Sequence, residues 1–240
     1  MFLVKSLRQL RHTHSVMSSR GKSQFSLPSV LPPKERLIWV DCEMTGLDIE
    51  TDKLLEIAVI VTEGDTLATV GMCSLLSPRL REVRSAISSL WMFSCFFFSG
   101  KTESIIIHCD DRSLDTMGEW CVKQHGASGL TEACRRSDVT CQQAEQLVLH
   151  LLEQHTERGR CPLAGNSVGQ DRKFIDKHMP GLASWLHYRT VDVSTIKELC
   201  RRWYPQVYEA APRKGGSHRA LGDIEESIAE LQYYRENVFR

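Results

Sequence analysis

The stretch Leu54 to Thr62, LLEIAVIVT, is an almost unbroken apolar run of nine residues. It is short for a helix and rich in β-branched side chains, so it reads as a strand inside a sheet. The run LIWVDCE at residues 37–43 reads as a second strand paired beside it, with Gly46 supplying the break that follows. Residues 105–108 form a third, short strand. Helical periodicity covers residues 114–125 and 140–155, the latter with Ala144, Leu147, Val148, Leu151 and Leu152 on one face. Residues 163–165 read as a short strand, followed by a helix over about 170–178. A strand at 188–191 leads into a helix at 194–203. The last helix is expected to start near Ser217, an N-cap candidate, with Leu221, Ile224, Ile228 and Leu231 on one face. Strands first, then strands alternating with helices, predict an α/β fold: a mixed sheet flanked by helices.

Two segments stand outside this pattern. Residues 1–34 carry Lys5, Arg8, Arg11, Arg20, Lys22 and Lys34 and no acid. Leu3, Leu7 and Leu10 share one helical face, and basic residues lie on another. That is the pattern of a mitochondrial transit segment, with the proline-bearing residues 27–33 as linker. Residues 71–103 interrupt what should be the hairpin into the third strand. They include the 16 uncharged residues 85–100, short of the ~20 that cross a bilayer, so no membrane association is expected.

Charge narrows the function. The whole chain is neutral, but without residues 1–34 it holds 24 basic and 30 acidic residues, a net charge of −6. Such a body will not grip long nucleic acid through counterion release. The nine cysteines show no CxxC and no paired spacing, and read as free thiols.

The acids carry the chemistry. Asp41 and Glu43, two apart on a strand, point to the same face. Two carboxylates at the end of an apolar strand are costly unless a cation lies between them, and Mg²⁺ or Mn²⁺ meets that need with hard oxygen ligands. Alone, such a pair is also consistent with a solvated strand end. Asp171 opens a helix after the turn Ala164-Gly165-Asn166-Ser167, and His218 and Asp223 lie near the start of the last helix. Four acids and a histidine suit two-metal phosphodiester hydrolysis, with the histidine as base.

The segments WVDCEMTGLD (39–48), LLEIAVIVTEGD (54–65), CPLAGNSVGQDRKFIDKHMP (161–180), LHYRTVDVSTIKELCRRWYP (186–205) and SHRALGDIEESIAELQYYRE (217–236) resemble the oligoribonuclease family. These are 3′→5′ exoribonucleases of the DEDDh superfamily with a ribonuclease H-like sheet. The resemblance covers nearly all of residues 36–240 apart from 71–103, and is greatest to animal mitochondrial forms. It implies an exonuclease domain at 35–240 with an atypical insertion at 71–103.

What the resemblance implies about the site is specific. Asp41, Glu43, Asp171 and Asp223 are expected to bind two Mg²⁺ or Mn²⁺ ions. Asp41 would bridge them, Glu43 and Asp223 complete one, and Asp171 support the other. His218 is expected as general base. Leu47 resembles a wedge between two bases, Trp120 a stacking residue, and His125 a histidine of the substrate pocket. Ser167 and Ser194 match hydroxyls near the substrate phosphate. Tyr188 and Arg189 match residues that reach the other subunit's site in a homodimer. The implied substrates are dinucleotides and very short RNA, and the products nucleoside 5′-monophosphates. By residue type alone, Trp120 could be core, His125 an exposed helix-end residue and Arg189 a surface ion-pair partner. Asp192 sits where a helix N-cap is needed and reads as structural. Two other readings stay open: an exonuclease acting on longer RNA or DNA ends, and a form impaired by the insertion.

Overall fold

A computed structural model of the protein describes residues 35–72, 104–212 and 219–239. The basic N-terminal segment, residues 73–103, Ser217 and His218 lie outside the described residues.

Strand β1 (Leu37–Met44) runs through the middle of a six-stranded sheet. It pairs antiparallel with β2 (Leu54–Thr62) and parallel with β5 (Leu163–Gly165). β3 (Thr69–Met72) and β4 (Ile105–Ile106) both lie antiparallel on the far edge of β2, and β6 (Thr190–Asp192) extends the sheet in parallel beyond β5. Every residue of β2 is buried, as its apolar composition demands.

Alternation along β1 divides the core. Ile38, Val40 and Cys42 pack with Ile57, Val59 and Val61 against α4 (Cys141–His155), α5 (Gly169–His178) and α6 (Pro180–Trp185). Trp39, with Ala58 and Ile60, packs on the opposite face against α7 (Val193–Trp203) and α9 (Ala220–Asn237). The Trp39 indole is fully buried at no polar cost, because Nε1 donates to Thr62 Oγ1 at 2.9 Å. Asp41 and Glu43 continue the Trp39 face, so the period of two aims both acids toward the side that α9 covers. Gly165 lets β5 close on β1, since a Cβ there would stand 2.9 Å from the Val40 carbonyl oxygen.

β3 and β4 are successive pieces of one edge partner. Met72 faces Ile60 and Ile105 faces Ile57. The step is three residues along β2 but thirty-three along the chain, so the register advances by thirty residues. Deleting the thirty residues 73–102 would place Glu103 and Ser104 opposite Val59 and Ala58 in one continuous ladder. This deletion is therefore expected to yield a folded protein with at least wild-type melting temperature. A loss of cooperative unfolding would show that residues 73–102 hold the sheet together.

Several boundaries differ from expectation. Gly71 and Met72, assigned above to the interruption, complete β3. The helix expected over 114–125 is two: α1 (Asp111–Asp115), capped by Asp110 accepting from the Ser113 amide, and α2 (Glu119–Ala127), with Gly118 at its N-cap position. Three short helices were not expected, α3 (Leu130–Arg136), α6 and α8 (Pro205–Glu209), although proline at the first turn of α6 and α8 is a start signal. α9 begins at Ala220 with Arg219, not Ser217, at the cap position. The Arg219 side chain is drawn inward to Glu56 and makes no cap hydrogen bond. The helix expected from residue 140 has a full capping box between Thr140 and Gln143. The seven described cysteines are free. Among the described residues no helix is long and apolar enough to cross a membrane.

Candidate active site

β1 and α9 build the centre of the site. Asp41 and Glu43 come from the end of β1 and Asp223 from the first turn of α9. Carboxylate oxygens from the three lie within 4.8 Å of one another. Asp171, in the first turn of α5, stands beside this group from the other side of β1. It is nearly buried, and its Oδ1 accepts from the Cys42 amide at 2.9 Å. Three of the four acids expected from the sequence thus form one cluster, and Asp171 is tied to the strand between Asp41 and Glu43 through the Cys42 amide.

Their charge states reflect the crowding. Burial pushes Glu43 up to about 8, helped by Glu56, Asp223 and Asp171 and opposed by Arg219. Burial likewise raises Asp171 to about 7, against the hydrogen bond from the Cys42 amide and with repulsion from Asp192 adding to it. The Cys42 thiol between them is raised by its burial and by Asp171, Asp41 and Glu43. A pocket that resists its own ionisation in this way is short of positive charge.

The pair Glu56 and Arg219 was not anticipated. Glu56 is fully buried on β2, directly opposite Glu43 in the register. Arg219 grips it through Nη2 at 3.0 Å and Nε at 3.2 Å, and Ser104 Oγ donates to the same carboxylate. A buried charge needs such a partner. The acid inside the apolar run LLEIAVIVT was the available signal. His218 itself lies outside the described residues, one position before Arg219.

Leu47, between β1 and β2, and Trp120, on α2, are 67% and 58% exposed, so Trp120 is not a core residue. His125 closes the same helix but is buried, its Nε2 2.9 Å from the Met44 carbonyl oxygen and its Nδ1 3.9 Å from Glu43 Oε2. It stands under the rim as a tie between α2 and β1, not as an exposed helix-end side chain. Ser167 and Ser194 meet at 3.0 Å between hydroxyls. Ser167 has a φ of 53°, a left-handed backbone held by its amide bonding to Asp192 Oδ1 and Ser194 Oγ. Asp192 also caps α7 by accepting from the Ser194 amide at 2.9 Å, as its place before the helix predicts. Tyr188 is 75% exposed, with the Arg189 guanidinium 5.0 Å from its ring centre.

Comparison with known proteins follows this geometry. The exonuclease family RNase_T matches residues 38–81 and 97–231, leaving 82–96 unmatched inside the interruption. The mitochondrial oligoribonucleases of Mus musculus and Homo sapiens are 48% and 47% identical over 206 residues, which cover 86% of this chain and 74% of each relative. Among solved structures, E. coli exonuclease I in complex with a 5cy-dT13 oligonucleotide is similar with a TM-score of 0.56 at 14% identity, over 85% of this chain. This chain spans about two fifths of that enzyme's length, 41%, and the likeness is one of fold.

Proposed function

The chain belongs to the oligoribonuclease family and is a hydrolytic 3′→5′ exoribonuclease; from that premise we propose that it degrades dinucleotides and very short RNA to nucleoside 5′-monophosphates. The observation that supports this is the convergence of Asp41, Glu43 and Asp223, with Asp171 bonded to the Cys42 amide between the first two.

The donor set fits Mg²⁺ or Mn²⁺. It is all carboxylate oxygen, and the raised Glu43 shows that the acids are under-compensated. Asp41, Glu43 and Asp223 would hold one ion, and Asp171 with Asp41 a second. Two such ions supply charge stabilisation for the attacking and leaving oxygens of an in-line displacement. The chain's own groups do the rest. The His218 imidazole takes the proton from the attacking water. Trp120 and Leu47 offer flat and apolar surfaces to bases without reading sequence. The Ser167 hydroxyl faces the terminal phosphate, while Ser194 braces it.

A C₂ homodimer completes the unit. Tyr188 and Arg189 would reach the partner's substrate, the arginine fork suiting a phosphate or base edge. Exposed Leu199 and Trp203 on α7, with Tyr204 after it, supply apolar surface for such a contact. Residues 1–26 act as a mitochondrial import signal in this proposal.

The test is digestion of 5′-labelled RNA of two to ten nucleotides, with DNA counterparts, in the presence of Mg²⁺ or Mn²⁺. The expected kcat/KM is highest for the dinucleotide and falls with length. A rate that rises with length would overturn the short-substrate reading.

Acid crowding also predicts how stability depends on pH. Glu43 and Asp171 titrate at about 8 and about 7 in the folded protein, against ordinary values of 4.5 and 3.8. The folded state therefore holds more protons than the unfolded one between these limits, and stability falls as pH rises through them. Without divalent ions, the melting temperature is expected to drop by roughly 5 °C or more from pH 5 to pH 8. Mg²⁺ or Mn²⁺ should restore it at pH 8 and do little at pH 5. Equal stabilisation by the ion at both pH values would contradict the assigned ligands.

A further inference from the structure

Leu47 is 67% exposed, and the loop that carries it is closely tied. Residues 45–53 connect β1 to β2, and the Thr45 amide donates to the Lys53 carbonyl at 3.0 Å to close the base. Within the loop, one carboxylate collects the turns of chain. Asp52 Oδ1 accepts from Thr45 Oγ1 at 2.7 Å, and Oδ2 from the Asp48 amide at 2.9 Å. Thr45 Oγ1 in turn accepts from the Lys53 amide at 3.0 Å, and the Asp52 amide donates to Asp48 O at 2.8 Å. Gly46 lies so near that a Cβ there would stand 2.4 Å from Asp52 Oδ2. Leu47 is thus the residue between Gly46, whose lack of a side chain leaves room for this carboxylate, and Asp48, whose amide donates to it. From outside, Lys177 on α5 donates to Ile49 O and to Glu50 Oε2 at 2.9 Å.

We propose that Asp52 is a positioning residue: its carboxylate fixes the loop so that Leu47 is presented to the substrate already in place. This rests on the reading above that Leu47 contacts a base. A leucine on a loose loop would have to be ordered on each binding event. Ordering one or two residues corresponds to about 10-fold in affinity. The effect falls on binding and leaves the acids and His218 untouched.

The experiment compares wild type, Asp52→Ala, Leu47→Ala, the double variant and Asp52→Asn. The readouts are kinetics on an RNA dinucleotide and amide hydrogen exchange over residues 44–53. Asp52→Ala is expected to raise KM about 10-fold with kcat within ~2-fold, the signature of lost uniform binding. The Asp48 amide should exchange faster. In the Leu47→Ala background, Asp52→Ala should change KM by less than ~2-fold, because coupled residues are not additive. Asp52→Asn should behave like wild type, since an amide can accept from Asp48 N–H and donate to Thr45 Oγ1. Gly46→Ala, which pushes the carboxylate away from the opposite side, should reproduce the rise in KM. A full 10-fold effect of Asp52→Ala in both backgrounds, a fall in kcat alone, or unchanged exchange would overturn the proposal. If exchange quickens but Leu47→Ala leaves KM unaltered, the base-contact role of Leu47 fails, and the proposal with it.

Discussion

Asp41→Ala and Asp223→Ala are each expected to cut RNA hydrolysis by ~10³-fold or more, because several kcal/mol of charge stabilisation depend on the ions these acids would hold. The two acids come from different elements, β1 and the first turn of α9, and meet only because the sheet face that buries Trp39 is the face α9 covers. Neither substitution empties a packed apolar position, so both variants should unfold cooperatively. The discriminating measurement is thermal. At pH 8 the wild-type protein should gain melting temperature from Mg²⁺ or Mn²⁺, and both variants should lose that gain. Near-normal turnover with saturating ion in either variant would end the two-ion assignment.

His218→Ala is expected to lower kcat by ~10²–10⁴-fold, the usual contribution of a positioned base, with KM for the dinucleotide little changed. The acids, Leu47 and Trp120 would still hold the substrate. The pH–rate profile should lose its acidic limb, because that limb reports protonation of the base. A variant with weakened binding and intact kcat would make His218 a binding residue instead.

The sheet was legible in the sequence because it follows from local rules, whereas the four acids were singled out by resemblance. A period of two puts Asp41 and Glu43 on the Trp39 face. Asp171 follows a short strand, and Asp223 opens an amphipathic helix. Thr140 and Asp192 announced their caps. The misses have the opposite character. Glu56 could be flagged as a charge inside a buried strand, but its partner Arg219 is 163 residues away, beyond any local pattern. The start of α9 was misplaced because Ser217 offers a capping hydroxyl, whereas Arg219, which occupies the cap position, has no acceptor to offer the first-turn amides. The break between α1 and α2 was hidden because Leu114 and Met117 are both buried with Leu55, so the apolar spacing runs on across a chain that turns at Gly118. By residue type alone His125 could be an exposed helix-end residue, and it is buried. Its link to the Met44 carbonyl oxygen depends on how α2 lies against β1, which spacing does not encode.

The chain passes from Met72 to Ile105 on the outer edge of β2, between the part that β3 pairs and the part that β4 pairs. Severed there, the protein divides into two polypeptides with unequal inventories. The first holds β1 and β2 with Asp41 and Glu43; the second holds Asp171, His218 and Asp223. Neither holds the whole acidic cluster, and each exposes the strand edge that the other would cover. Co-expressed, the halves form a natural complementation pair: hydrolysis would report their reassociation, and two proteins fused to the cut ends could bring it about.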